Sequence, residues 1–328
     1  MSIIPAGTGY GESAGLVPSD INKKSAVTGS LPLYSYAQSY VSASSGGRTV
    51  LLKEAMYMGC SGGGYRSIAA ADGMRNHGIT PVKAMACSAP LKTRSWTPMG
   101  FLRSISLGIA GLSPLPIALA TLSISNTRPG VANYNIGQSF LKEAKVESLL
   151  TMFQDLDAPS LYLEFAAWVD YVTNNYPENF QPGELFWSEP LLAFFTTALE
   201  NNDPDPCVNN SSLAVDLNVD KTCEAMDEND LTQTVLEADY PIELCHSKTD
   251  DLVVIENVPA PEYLKFELDG PGHTSTTAIC DALLFGSNEI VKPLIRAPPT
   301  DAPTKAPKSP KMEKSEKSRK SSKKKKKA

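Results

Sequence analysis

The chain has 328 residues, of which 42% are hydrophobic and 20% are charged, and its formal net charge is −6. This apolar share is sufficient for a hydrophobic core, so the composition excludes a wholly disordered chain. The sequence has neither the C-x-x-C nor the H-E-x-x-H spacing of a metal site. We therefore expect no metal and no cofactor.

The most informative motif lies between a predicted strand and a predicted helix. Residues 49–58 contain a plausible buried strand, and residues 65–75 have the pattern of a helix. Between them, residues 59–63 fit G-x-S-x-G, a sharp strand-to-helix turn that exposes a serine hydroxyl. The motif predicts that Ser61 is a nucleophile and that the N–H of Gly62 donates to an oxyanion. A turn with only a structural role is the alternative.

A long insertion follows the next predicted strand, residues 82–90. About 150 residues separate it from the next strand, which is far more than a crossover needs and predicts a cap. The apolar centre of this insertion, residues 101–125, is long enough to cross a bilayer. Pro114 and Pro116 interrupt it, which favours a broken helical pair folded over the active site as a lid. A membrane span is the alternative.

Three further helices are predicted in the cap, over residues 137–153, 160–175 and 183–200. The last one carries several aromatic side chains, among them Phe194 and Phe195. We expect these aromatic residues to be part of the core first, and the lining of an acyl pocket second.

A serine nucleophile needs a base, and the chain has three histidines. His77 lies just beyond the helix of the motif, where a cation complements the helix dipole, so we expect a structural role. His273 lies on a glycine-flanked loop between an alternating strand at 263–269 and a predicted helix at 278–284. Such a loop allows the ring to reach the serine, and His273 is therefore the predicted base.

The acid is expected between the serine and the histidine in chain order, just after a strand. Residues 240–245 have the pattern of that strand, and Asp250 follows it. There its carboxylate would accept the imidazole N–H and fix the tautomer of the ring. Asp250 is the predicted acid, Asp251 is the reserve, and His246 is interpreted as a loop residue that supports the turn.

Four segments together resemble the α/β-hydrolases, and among these the secreted lipases and esterases. They occur in the family's order within residues 3–290, at 9–13 (G-Y-G-E-S), 59–63, 246–250 and 270–273. The resemblance implies an α/β fold with a doubly wound, mostly parallel sheet and a large helical cap insertion. It also implies cleavage of a hydrophobic carboxylic ester through an acyl-enzyme, with Ser61, Asp250 and His273 as the catalytic residues.

One departure from the family concerns the start of the chain. The family takes a second oxyanion donor from a loop after its third strand, and no H-G or H-G-G-G segment occurs before the G-x-S-x-G motif. We therefore expect the first three strands to be absent, one of them from the middle of the sheet. Either the fourth and fifth strands pair directly or the chain is a fragment that begins near the fourth strand, and we expect the fragment. Residues 1–30 are too polar for a signal peptide, which such a truncation would have removed.

These patterns divide the chain into four parts. We expect the first part of the hydrolase core at residues 1–90, the cap at 91–238, the second part of the core at 239–296, and a disordered Pro/Thr/Lys-rich tail at 297–328. From residue 298 onward the tail has 12 basic and 3 acidic residues, so its charge is +9 and that of the rest is −15. The tail is suited to an anionic polymer, a wall or a membrane surface, and a solvated charge run without a partner is equally compatible. No specific nucleic-acid partner is expected.

The cysteines fall into two groups. Four lie in apolar segments, where a buried, reduced thiol is the usual state. They are Cys60, Cys87, Cys245 and Cys280. By contrast, Cys207 and Cys223 bracket a polar loop and are expected to form a disulfide. Overlapping N-x-S triplets at 209–212 add to the expectation of a secreted or extracellular protein.

Two other functions stay open at this level. A serine peptidase with the same fold would carry the same motif. A non-catalytic surface protein could keep the fold and attach through its basic tail.

Overall fold

A computed structural model of the chain describes residues 21–100, 189–209, 217–270 and 272–285. Its main elements, in chain order, are α1 (Lys23–Ser44), β1 (Glu54–Cys60), α2 (Gly62–Arg75), β2 (Thr80–Cys87), α3 (Glu189–Glu200), α4 (Pro206–Asn209), α5 (Leu217–Asn229), α6 (Thr232–Leu236), β3 (Ile242–Ser247), β4 (Leu264–Leu268) and α7 (His273–Phe285). Short 3-10 turns at Ile255–Asn257 and Pro261–Tyr263 lie between β3 and β4.

The four strands form one parallel sheet in the order β1-β2-β3-β4. The predicted strands are therefore present, with ends that differ by a few residues. Each strand is hydrogen-bonded to the next, and the place expected for a missing central strand, beside the strand near the start of the chain, lies outside the described residues. Among the described residues, β2 is the one strand that pairs with β1. The strand expected near the start of the chain lies outside the described residues.

Helices cover both faces of the sheet. On one face α2 packs against β1 and β2, because its alanine-rich centre is small enough for close contact and is buried throughout. The helix α1 packs on α2, where a side chain at Gly73 would collide with Val27. The N-terminus of α1 is capped by Asn22, whose side-chain oxygen accepts the N–H of Ser25 at 2.8 Å. On the other face α7 packs across β1, β2 and β3.

The described end of the predicted cap is helical and belongs to the main core. The described part of the helix expected over residues 183–200 is present as α3, and the buried side chains of Phe195, Met226 and Val235 lie in one cluster with those of α2. The backbone N–H of Leu231 donates to the carbonyl of Leu91 at 2.9 Å. The boundaries of the cap stay a prediction, because residues 101–188 lie outside the described residues.

The membrane alternative for residues 101–125 also falls outside the described residues. Within the described ranges, no helix combines the length and the hydropathy that a bilayer crossing requires. The predicted helices at 137–153 and 160–175 and the basic tail lie outside the description as well.

The prediction of reduced cysteines is wrong, because all six cysteines are paired. The expected Cys207–Cys223 bond is present, and the other four form Cys60–Cys87 and Cys245–Cys280. An apolar neighbourhood identifies a buried cysteine but not its partner. The strand register places Cys60 beside Cys87 on the adjacent strand. The packing of α7 on the sheet places Cys280 opposite Cys245.

Candidate active site

The turn that carries Ser61 joins the end of β1 to the start of α2. Ser61 has φ 53° and ψ −128°, a conformation that a residue with a side chain rarely adopts. Its backbone N–H donates to the carbonyl oxygen of Cys87 at 2.7 Å, which ties the turn to β2. A Cβ at Gly59 would collide with the carbonyl of Gly63 and lie 2.8 Å from the hydroxyl of Ser67. The first glycine of the motif is therefore required by the close approach of strand and helix.

His273 is the first residue of α7, not part of the loop expected before a helix at 278–284, because the helix begins five residues earlier. It lies beside Ser61, although the two are 212 positions apart. Its Nε2 is 2.9 Å from the Ser61 hydroxyl oxygen, and its Nδ1 is 2.9–3.0 Å from both carboxylate oxygens of Asp250. An ionised carboxylate can only accept, so Nδ1 carries the proton. The lone pair of Nε2 then faces the serine hydroxyl. The structure thus brings together the three residues that the sequence singled out.

Asp250 is held from two sides in a buried turn after β3. Its Oδ1 accepts the backbone N–H groups of Leu252 at 3.1 Å and Val253 at 2.9 Å. Burial alone would raise the pKa of this carboxyl, but the hydrogen bond and charge of His273 outweigh burial. With smaller contributions from His246 and the Val253 N–H, they hold the pKa of Asp250 below its usual range. The carboxylate is therefore ionised near neutral pH.

Asp251, the reserve candidate for the acid, occupies a different place. Its Oδ1 accepts the backbone N–H of His273 at 2.7 Å. The two neighbouring aspartates therefore bind the same histidine through different atoms: Asp250 binds the ring and Asp251 binds the main chain.

His246 is not the loop residue that we expected. It belongs to β3 and is buried, because the strand continues to Ser247. Its Nε2–H donates to the carbonyl of Val253 at 2.6 Å, and the same nitrogen is 3.8 Å from Oδ2 of Asp250. Burial lowers the pKa of His246 and keeps it neutral, against the opposing effect of the Val253 hydrogen bond. His246 thus supports the turn of the acid from within the sheet.

The remaining predicted residues have clear positions. His77 is exposed beyond the end of α2. Gly62 is the first residue of α2, so its N–H is among those that a helix leaves without an intrahelical partner, at the positive end of the helix dipole. Phe194 and Phe195 are buried in the core in an edge-to-face pair, which agrees with the first of their two expected roles.

Sequence reasoning missed Ser88, which follows β2. Ser88 is fully buried with φ 45°, and its N–H donates to the carbonyl of Cys245 at 2.9 Å. Among the described residues, no hydrogen-bond partner accompanies its hydroxyl. Ser61 and Ser88 therefore follow adjacent strands and both have a positive φ, and the sequence carries no signal for the second one. Over the same described ranges, no three His, Cys, Asp or Glu side chains are grouped as a metal site.

Solved structures, but no family model and no curated protein, are similar to this chain. No protein-family model matches the chain, and no curated protein matches it either. Among solved structures, the chain is similar to a mutant of the rice cell wall degrading esterase LipA from Xanthomonas oryzae, with a TM-score of 0.52 and 17% identity over 84% of this chain and 67% of that chain. The chain has the α/β-hydrolase fold. The predicted fold class is thereby confirmed.

Two further solved structures are more distant. Candida antarctica lipase A has a TM-score of 0.35 at 11% identity, over 78% of this chain and 51% of that chain. A thermophilic esterase from Thermogutta terrifontis has a TM-score of 0.35 at 13% identity, over 88% of this chain and 78% of that chain. These two TM-scores are too low to carry an argument. The chain spans about two thirds of the length of the LipA chains, 65% for LipA without a mutation and 67% for the mutant.

Proposed function

We propose that this α/β-hydrolase cleaves carboxylic esters through an acyl-enzyme formed on Ser61. The observation that carries the proposal is the continuous hydrogen-bonded chain from the Ser61 hydroxyl through His273 to Asp250. It lies at a strand-to-helix turn whose strained backbone presents the hydroxyl. An isolated glycine-rich corner would need neither the histidine nor the buried carboxylate.

In the first half of the proposed reaction, Ser61 Oγ attacks the carbonyl carbon of the ester. As the bond forms, Nε2 of His273 takes the hydroxyl proton, and Asp250 stabilises the resulting imidazolium through Nδ1–H. When the tetrahedral intermediate collapses, the imidazolium returns that proton to the leaving alcohol. The acyl group then remains on Ser61.

In the second half, water replaces the alcohol. His273 takes a proton from the water as its oxygen attacks the acyl carbon, and it returns the proton to Ser61 when the acid leaves. The N–H of Gly62 donates to the oxyanion in both halves, since it directly follows the nucleophile at the helix N-terminus. In comparable sites, losing one such donor costs about 10²–10³-fold in kcat.

The substrate class rests on weaker support. The apolar centre of the predicted cap favours an ester with a hydrophobic acyl group. Three disulfides favour an oxidising compartment, and we therefore propose that the protein acts outside the cell. Attachment of the basic tail to an anionic polymer, wall or membrane surface stays a prediction.

A fluorophosphonate probe tests the mechanism, because it labels only an activated serine. We expect labelling of the wild-type chain and of Ser39→Ala, a control on the exposed face of α1. We expect none for Ser61→Ala. A folded wild-type chain that takes up no probe would instead favour the non-catalytic surface protein.

A substrate panel separates esterase from peptidase. p-Nitrophenyl esters of increasing acyl length and aminoacyl anilides are offered to the same preparation. We expect turnover of the esters, rising with acyl length if the cap binds apolar groups. Faster turnover of the anilides would overturn the substrate class while leaving the roles of Ser61 and His273 in place.

A further inference from the structure

Two consecutive carboxylates converge on His273 and bind different atoms of that residue. Asp250 binds Nδ1, while Oδ1 of Asp251 accepts the main-chain N–H of the same residue at 2.7 Å. This N–H belongs to the first residue of α7. The helix itself offers no acceptor to the N–H groups of its first turn. Asp251 therefore supplies from another loop the acceptor that this helix end needs.

The contact is close because a glycine allows it. A Cβ at Gly272 would lie 2.7 and 2.9 Å from the two carboxylate oxygens of Asp251. The carbonyl of Gly272 accepts the N–H of Thr276 at 3.0 Å, so the first turn of α7 is already formed at this point. A negative charge at this end also complements the dipole of the helix. Asp251 thus fixes the position and the direction of the first turn.

We propose that Asp251 is a positioning residue for His273, an inference that rests on the proposed function. The ring of His273 must meet Ser61 on one side and Asp250 on the other, both within 3.0 Å. Because the ring is attached at the first residue of α7, movement of the main chain there moves Nε2 relative to the serine. Asp250 sets the rotation of the ring, and Asp251 sets the point from which the ring extends.

A second tie keeps α7 docked without Asp251. The Cys245–Cys280 disulfide joins the helix to β3, and Cys280 and Leu284 are buried against the sheet. Loss of the Asp251 contact should therefore loosen the first turn and leave the rest of the helix in place. The expected effect is on the chemical step rather than on the fold.

The test compares Asp251→Ala and Asp251→Asn with the wild type. For Asp251→Ala we expect kcat to fall about tenfold to a hundredfold, because misplacing a catalytic group by about 1 Å has that consequence. KM should change little. The amide oxygen of Asp251→Asn still accepts the N–H, so this variant should recover most of kcat. Asp203→Ala is the matched control, because Asp203 likewise accepts a backbone N–H, that of Asp205 at 3.0 Å, near α4.

Hydrogen exchange of the His273 amide gives a readout that is independent of activity. We expect faster exchange in Asp251→Ala than in the wild type, and no change in Asp203→Ala. Unchanged exchange, unchanged kcat, or equal loss in the Ala and Asn variants would overturn the inference. Failure of the wild type to react with a fluorophosphonate would overturn the proposed function instead, and the exchange result would still report on the contact.

Discussion

The backbone N–H of Ser61 lies 2.7 Å from the carbonyl oxygen of Cys87, so the strained turn is hydrogen-bonded to the neighbouring strand. The Cys60–Cys87 disulfide joins the same two strands one residue earlier. An uncommon backbone conformation persists only where the surrounding structure enforces it. These two links provide that enforcement at the start of α2.

Gly59 and Gly63 should respond differently to alanine. A Cβ at Gly59 would collide with the Gly63 carbonyl, whereas a Cβ at Gly63 meets nothing within 4 Å. We expect Gly59→Ala to lower the free energy of unfolding by about 1–3 kcal/mol. Gly63→Ala should raise it by about 0.5–1 kcal/mol, because alanine favours a helix. Urea unfolding measures the free energy of unfolding of both variants. Equal values for Gly59→Ala and Gly63→Ala would contradict the prediction.

Replacing Asp250, the proposed acid, should remove activity while preserving the fold. In Asp250→Asn the side chain is a neutral amide, so it no longer stabilises the imidazolium by charge. It can also donate to Nδ1, which favours the ring tautomer with the proton on Nε2 instead of Nδ1. We expect kcat to fall about 10³–10⁴-fold, as in triads with this change. Steady-state hydrolysis of a p-nitrophenyl ester measures it. Asp227→Asn, at an exposed carboxylate that pairs with Arg94, is the control and should keep full activity.

The buried His246 should make stability depend on pH. Its pKa in the folded protein is lowered from 6.5 by burial, so the unfolded chain takes up a proton that the folded chain does not. Stability is therefore complete above pH 6.5 and falls as the pH decreases below that value. We expect the free energy of unfolding to be lower at pH 5 than at pH 7.

His246→Gln removes the titrating group but keeps a donor for the Val253 carbonyl. Its free energy of unfolding should change less over the same pH range than that of the wild type. His77→Gln, at an exposed histidine, should retain the wild-type decrease. A decrease of the same size in His246→Gln would mean that other groups are responsible.

The disulfides should differ in their effect on activity. The Cys245–Cys280 bond spans 35 residues and the Cys207–Cys223 bond spans 16. Replacing both cysteines of either pair by alanine should lower the free energy of unfolding by about 3–4 kcal/mol, because the unfolded chain gains entropy. Only the first pair joins the helix of His273 to the strand before Asp250. We expect that pair to lower ester turnover as well as the melting temperature, and the second pair to lower the melting temperature alone.

The sequence predicted those parts of the site that depend on local chemistry. Ser61 follows from a motif whose first glycine, Gly59, is required sterically, and His273 and Asp250 follow from their positions after strands. The partners of Cys60 and Cys245 could not be predicted, because they depend on strand register and on where α7 lies. The sequence predicts a loop at His246, because a polar residue after an apolar run resembles the end of a strand. Its buried hydrogen bond to Val253 becomes visible only when the turn is folded.

The bond between Cys245 and Cys280 has a consequence for a chain that has been cut. A protease that nicks the loop between Asp250 and His273 would produce two peptides, yet the one with the imidazole would stay tethered to the strand that precedes the carboxylate. Local concentration would then favour reassembly over loss of the fragment. Nicked material could therefore run as separate pieces on a reducing gel and still behave as a single molecule in solution.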